Sequence, residues 1–258
     1  MPTPARGSPV TDQTIANRVR ETAKLALRRA LQRADLQIGR GSYSSHLAQT
    51  LRSRDIDTVL DVGANVGQFA TLLRSAGFRG TIHGFEPLAG AYAVLSARAA
   101  KDPAWSVHHT AVGAEPGSTR INVSANSFSS SIRAMTDKHR TAAPGSDYVA
   151  SETVPVTTVA AIVQEHGIDP ARTLLKIDTQ GFEDEVLAGA GHLLGRFGAV
   201  QLELSFVELY AGQRLHDELV QDLASAGYRL QQLEPGFSDQ DGRLLQVDGL
   251  FVLTSHDR

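Results

Sequence analysis

From residue 57 onward, short apolar runs alternate with segments of helical periodicity. Residues 58–62, Thr-Val-Leu-Asp-Val, form a run suited to a strand buried on both faces. Residues 67–76 follow as a helix, with Phe69, Leu72 and Leu73 on one side. The rhythm repeats with a strand at 81–85, a helix at 88–100 and a strand starting at 105–109. A short extra strand is expected at 121–123. Residues 124–150 are rich in Ser, Thr, Ala and Gly and nearly aperiodic, so they read as a long loop of the functional or disordered kind. Helix 158–163, strand 173–177, helix 183–194, strand 199–204 and helix 215–226 come next. The last two runs, 228–233 and 247–253, have no helix between them and must pair antiparallel. The alternation predicts an α/β fold, a mostly parallel sheet with helices on both faces and one reversed strand. No repeat or linker interrupts this stretch, so 41–258 reads as one domain.

Residues 1–40 stand apart. Three prolines in the first ten residues suggest a frayed tail. From Asp12, a reasonable N-cap, to about Ala34 the spacing of Ile15, Val19, Ala23, Ala26, Ala30 and Leu31 predicts a helix. Arg18, Arg20, Lys24, Arg28, Arg29 and Arg33 make it basic. Such a helix either covers the domain with a solvated Arg face or meets an anionic surface or second subunit, which makes a homodimer an expectation.

Composition narrows the classes. The chain has 258 residues, 41% of them hydrophobic, which is enough for a core and excludes a disordered chain. A net charge of −3 argues against bulk electrostatic binding of nucleic acid. No apolar run is long enough to span a membrane, and the first residues lack a signal-peptide core, so the expectation is a cytoplasmic protein with no transmembrane segment. With no cysteine, any metal must be held by carboxylates, histidines and water.

Candidate chemistry starts where the first strand meets its helix, at Asp61-Val62-Gly63-Ala64-Asn65-Val66-Gly67-Gln68. Gly63 and Gly67 permit a sharp turn and close approach of a ligand, and the helix N-terminus offers free N–H groups. The next strand ends in Phe85-Glu86-Pro87, 25 residues after Asp61. An acid there can accept both ribose hydroxyls of an adenosine ligand, and Pro87 suits a helix start. The phosphate-binding pattern G-x-G-x-x-G is absent, with Asn at position 65. The expected cofactor is therefore an adenosine without a pyrophosphate, and S-adenosylmethionine fits, its amino-acid end received by Asp61 and backbone groups. Ala111 and Val112 follow the third strand at the level expected for adenine, and Tyr43 and Ser44 are candidates to close over the methionine end. The expected cofactor set is Tyr43, Asp61, Gly63, Asn65, Gly67, Gln68, Glu86, Pro87, Ala111, Val112 and Asp178.

Together with Lys176-Ile177-Asp178-Thr179-Gln180-Gly181-Phe182-Glu183, these motifs resemble the FkbM family of S-adenosylmethionine-dependent methyltransferases over about residues 40–253. The stretch 126–131 and Glu203 also resemble the family pattern, while Thr179-Gln180 stands where many members carry Val-Glu. The resemblance implies a Rossmann-like seven-stranded sheet in the order 3-2-1-4-5-7-6 with strand 7 antiparallel. It also implies methyl transfer to oxygen, on saccharides or on polyketide and macrolide scaffolds.

A hydroxyl acceptor is a poor acid and needs a base, a metal ion or both. Asp178 and Glu203 close adjacent strands, where open α/β sheets form their ligand crevice. They are candidates to hold Mg²⁺, by analogy of position with catechol O-methyltransferase. Without metal, Asp178 would orient the acceptor and Glu203 would be the base. His139, in the aperiodic stretch, is the third catalytic candidate, and the Ser127–131 run is a candidate for binding acceptor hydroxyls. Glu183 is expected either to support Asp178 or to favour its helix N-terminus. Of the adjacent His108 and His109, one must point in and one out. The expected partner is a small-molecule or oligosaccharide acceptor. Two other readings stay open: a nicotinamide-dependent oxidoreductase, and a non-catalytic cofactor-binding module.

Overall fold

The computed structural model describes residues 43–126 and 128–254. The expected tail and basic helix, the break at 39–42 and Ser127 lie outside the described residues. Leu47–Arg258 forms one compact unit, and Tyr43–His46 falls to a separate N-terminal unit.

Ten strands are described: β1 (Thr58–Val62), β2 (Thr81–Phe85), β3 (Trp105–His108), β4 (Ala111–Val112), β5 (Gly117–Ser124), β6 (Tyr148–Thr157), β7 (Thr173–Ile177), β8 (Ala199–Ser205), β9 (Tyr228–Pro235) and β10 (Gln246–Leu253). The helices are α1 (Tyr43–Ser53), α2 (Gln68–Ser75), α3 (Ala89–Ala99), α4 (Asp137–Ala142), α5 (Val159–His166), α6 (Glu183–Ala190) and α7 (His216–Ser225). Seven strands make the main sheet, in the order β3-β2-β1-β7-β8-β10-β9. β10 runs antiparallel to both its neighbours. Counted within this sheet alone, the order is the expected 3-2-1-4-5-7-6 with the last strand reversed. The fold is α/β, with the Rossmann-like seven-stranded order that the resemblance implies.

The mostly apolar runs in β1, β7 and β8 have the sheet's physical cause, since strands covered on both faces expose almost nothing. Leu60, Ile177, Val200 and Leu202 are each 0% exposed. They pack with Val186 of α6, Leu219 of α7 and Ile162 of α5 in one core. Each such side chain contributes about 1.5–3 kcal/mol on burial. Among the described residues, no helix is long and apolar enough to cross a membrane.

The stretch 124–150 is mostly irregular, as expected, but it ends on strands at both sides and carries α4 within it. A second sheet, ordered β4-β6-β5, pairs β5 with β6 antiparallel over eight positions. The rest of the stretch is pinned to the main body. Arg133 forms a two-pronged bond to Asp184 (2.9 Å each) and donates to the Gly212 carbonyl at 2.7 Å. Met135 bridges Tyr210, and α4 follows at once. Of the ten β6 residues only Val154 is buried, so the apolar signal of a core strand is missing from its sequence.

Candidate active site

Parallel register places chemistry on the sheet's carboxyl edge. Asp61 of β1 lies directly beside Lys176 of β7, and Glu203 of β8 directly beside Asp248 of β10. β10 reaches this edge with its early residues because it runs the other way. The edge opens into a cavity of about 440 Å³.

One end of the cavity is made by turns. The chain leaves β1 through Gly63 at φ +76° and Asn65 at φ +46°. A Cβ at Gly63 would stand 1.8 Å from the Asp178 carbonyl oxygen, so only glycine lets the two strand ends approach. Asn is among the few other residues that adopt the left-handed region readily, which explains its place at 65. Glu86 then accepts two backbone hydrogen bonds, from Asn65 N–H at Oε2 and from Leu88 N–H at Oε1, both 2.8 Å. A carboxylate has about four acceptor positions, so each oxygen keeps one for a ligand. Burial pushes the Glu86 carboxyl up to about 7, with those two bonds and Lys176 opposing it.

The other end is made by side chains gripping one another. Gln180, at φ +55°, donates through Nε2 to Asp178 Oδ1 and to Glu203 Oε2, both at 3.0 Å. Its Oε1 accepts from the Tyr210 hydroxyl at 2.9 Å, and its backbone carbonyl accepts from Ser131 Oγ at 2.7 Å. Glu183 holds the same turn from below, its Oε1 accepting from Thr179 N–H, Thr179 Oγ1 and Gly181 N–H. Burial lifts Glu183 to about 7. Burial, then the charges of Asp178, Glu183 and Asp248, hold Glu203 well above the ordinary carboxylate range.

Beneath both ends sits Lys176, buried, with Nζ 3.1 Å from Asp61 and 3.5 Å from Asp178. It also donates to the Gly63 carbonyl at 3.3 Å. Burial works against its ammonium form, but Asp61 and Asp178 outweigh burial and hold it above its ordinary range.

Residues 61–230 match the model of the family described as the methyltransferase FkbM domain. The chain belongs to the FkbM methyltransferase family. Among solved structures, an FkbM methyltransferase from Methylobacillus flagellatus KT shares 17% identity over 77% of this chain, with a TM-score of 0.47; the match spans 44% of that protein. Magnesium protoporphyrin IX methyltransferase from Synechocystis PCC 6803, solved with bound SAM, shares 14% identity over 96% of this chain and 100% of its own, with a TM-score of 0.42. The 1,6-didemethyltoxoflavin-N1-methyltransferase of Burkholderia thailandensis, solved with S-adenosylhomocysteine, shares 11% over 96% of this chain and 93% of its own, also at 0.42. No curated protein matches the chain.

Within this FkbM domain, Gly63, Asn65, Gln68, Glu86, Pro87, Ala111, Val112, His139, Asp178 and Glu203 all line the cavity. Asp61, Gly67 and Tyr43 are not among the lining residues. Asp61 is 0% exposed and is the counter-ion of Lys176, with Nζ 3.1 Å from its carboxylate. Gly67, at φ +86°, lets α2 pack on Trp105, where a Cβ would stand 2.7 Å from the ring. Tyr43 opens α1 in the N-terminal unit.

The expected Mg²⁺ pair, Asp178 and Glu203, is held by a side chain of the protein itself. The space between Asp178 and Glu203 is bridged by the Gln180 amide, a donor toward both carboxylates, which does the work a cation would do there. Oxygen donors converging on an open point are what Mg²⁺ needs, and this donor set does not provide them. The described residues of the serine run are tied by local hydrogen bonds. Ser130 Oγ accepts from Ser124 N–H at 3.0 Å, and Asn126 Oδ1 accepts from the N–H groups of Phe128 and Ser129. His139 is 3% exposed, with Nε2 3.2 Å from Ser129 Oγ and its ring tilted against Tyr210 and Phe237. Its Nδ1 has no hydrogen-bond partner, and burial lowers its proton affinity, so it is a neutral imidazole with a spare ring nitrogen.

Sequence reasoning missed Gln180, Tyr210, Asp248 and the hub role of Lys176. A signal existed for two of them: a lysine in the apolar run 173–177 and an aspartate in 247–253 are costly unless paired or used.

Proposed function

We propose that this protein is an S-adenosylmethionine-dependent O-methyltransferase acting on a hydroxyl of a saccharide or glycosylated natural product. The observation that carries the reading is the carboxylate pair Asp178 and Glu203, aligned by the Gln180 amide at the cavity end away from Glu86. The residues fit the cofactor: Glu86 is oriented by two backbone N–H groups with acceptor capacity left for a ribose diol. When bound, S-adenosylmethionine supplies an electrophilic methyl group on a sulfonium.

The chain's own work is positioning and proton removal. Glu203 accepts the proton of the acceptor hydroxyl while that oxygen takes the methyl carbon, leaving an ether and a neutral thioether. Its raised proton affinity makes it a stronger base than an exposed carboxylate. Asp178 receives a second hydroxyl and, with Gln180 pinned by Tyr210, fixes the angle of approach. Nδ1 of His139 offers a further partner for a polar acceptor, and Gln201, Gln246 and Asp248 add polar groups to the lining. No step is assigned to a metal ion, because the donor set does not fit one.

The test is calorimetric titration with S-adenosylhomocysteine and with NAD⁺, followed by incubation of labelled donor with a panel of free and lipid-linked sugars. The expected outcome is S-adenosylhomocysteine binding, no NAD⁺ binding and a base-stable methyl ether on a sugar. NAD⁺ binding without S-adenosylhomocysteine binding, or methyl groups found only on nitrogen, would overturn the reading.

A further inference from the structure

Behind Phe85, on the edge of the main sheet, three histidines from separate elements meet. In the parallel register His83 of β2 faces Ser106 of β3, and Phe85 faces His108. Alternation along each strand therefore puts His83 and His108 on one face. His166, the last residue of α5, descends on the same spot. Its ring centroid lies 5.0 Å from that of His83 and 5.0 Å from that of His108. Each residue offers a ring nitrogen, and the three nitrogens all lie within 4.8 Å of one another. Among the described residues, this is the one group of three such side chains that close together.

Two further observations fit a ligand. His83 Nδ1 is 2.9 Å from Ser106 Oγ, which fixes the ring and leaves Nε2 as the outward nitrogen. Metal-binding imidazoles are held in this way by a second partner on the other ring nitrogen. Nε2 of His108 is buried with no hydrogen-bond partner, a cost that a bound group would remove.

We propose that His83, His108 and His166 form a binding site for a borderline divalent transition-metal ion, of which Zn²⁺ is the representative. Zinc takes imidazole nitrogens at about 2.0–2.1 Å in tetrahedral geometry, with water free to fill a fourth position. His166 is exposed at a helix end and has room to close the remaining distance. Hard cations such as Mg²⁺ prefer oxygen ligands and are excluded by the all-imidazole set. The ion would clip the end of α5 to β2 and β3. The site is separate from the cavity, although His108 stacks on Phe85 at 4.7 Å and Phe85 lines the cavity wall.

The test uses the full chain, stripped with a chelator and then titrated with Zn²⁺ by calorimetry and with Co²⁺ by visible absorption. Expected are one saturable equivalent of Zn²⁺, no heat with Mg²⁺ and a tetrahedral Co²⁺ spectrum. His166→Ala should weaken Zn²⁺ binding at least about tenfold. His83→Ala should do the same, while His192→Ala, at an exposed histidine elsewhere, should bind like the parent. Because His166 is exposed, its variant keeps the fold, checked by circular dichroism. Absence of saturable Zn²⁺ binding in the parent, or equal binding by parent and His166→Ala, would overturn the proposal.

Discussion

At the Glu86 end of the cavity, backbone N–H groups of Asn65 and Leu88 hold one carboxylate, and a glycine turn sets its distance from the next strand. At the Asp178 end the grip is between side chains, running from Tyr210 through Gln180 to two carboxylates on different strands. The first end depends on two local turns, 21 residues apart at the Asn65–Glu86 bond. The second joins residues 178 and 180 of one motif to residues 131, 203 and 210, which lie far from it in the chain. Main-chain construction suits a ligand whose shape is constant. Side-chain construction lets one end change its acceptor without disturbing the other.

Three substitutions separate the two ends, and the largest effect is expected at the side-chain end. Glu203→Gln removes the proposed base and should lower methyl transfer by about 10²–10⁴-fold. S-adenosylhomocysteine affinity, read by calorimetry, should change only a few-fold. Equal losses in both would show that the ends are not independent. Gly63→Ala attacks the turn-built end. A Cβ at 1.8 Å from the Asp178 carbonyl, at φ +76°, must push the two strand ends apart. Overpacking at about 1–3 kcal/mol and left-handed strain at about 1–2 kcal/mol predict a fall in melting temperature together with lost S-adenosylhomocysteine binding. An unchanged melting curve would refute the close approach.

Glu183→Gln is the smallest and goes the other way. The three bonds to Glu183 all reach Oε1, which glutamine reproduces. Its folded-state affinity for a proton is raised, to about 7 from an ordinary 4.5. Between those values the folded chain binds more protons than the unfolded chain, so stability falls as pH rises through this window and is fully present only below it. The variant loses this cost and should be the more stable one at pH 8, by about 3 kcal/mol at most. Thermal melts at pH 5 and pH 8 check the sign: a parent no less stable at pH 8 than at pH 5 would contradict it.

The same division explains what could be read in advance. β1, β7 and β8 announce themselves because a strand covered on both faces must be apolar, and the reversed β10 because no helix fits between 233 and 247. β6 was illegible: Ser151, Glu152, Thr153 and Pro155 mask it, and only one of its residues is buried. The places of Glu86 and Gly63 on the cavity wall were legible because their contacts come from local turns. The ion pair of Asp61 was not legible, because the motif does not show that Lys176 arrives beside it on the neighbouring strand. Gln180 and Tyr210 could not be found, since their meaning is a bond across 30 positions.

β10 is the final strand of the sheet in chain order, yet it lies inside the sheet, between β8 and β9. During synthesis on a ribosome, β8 and β9 emerge before the strand that joins them. Until residues 246–253 are released, both present open edges, and Glu203 lacks Asp248 beside it. The turn-built end of the cavity needs nothing beyond β7 and can form early. The side-chain end is completed only by the last strand, so a chain stopped before Gln246 would carry the Glu86 turn without Asp248 beside Glu203.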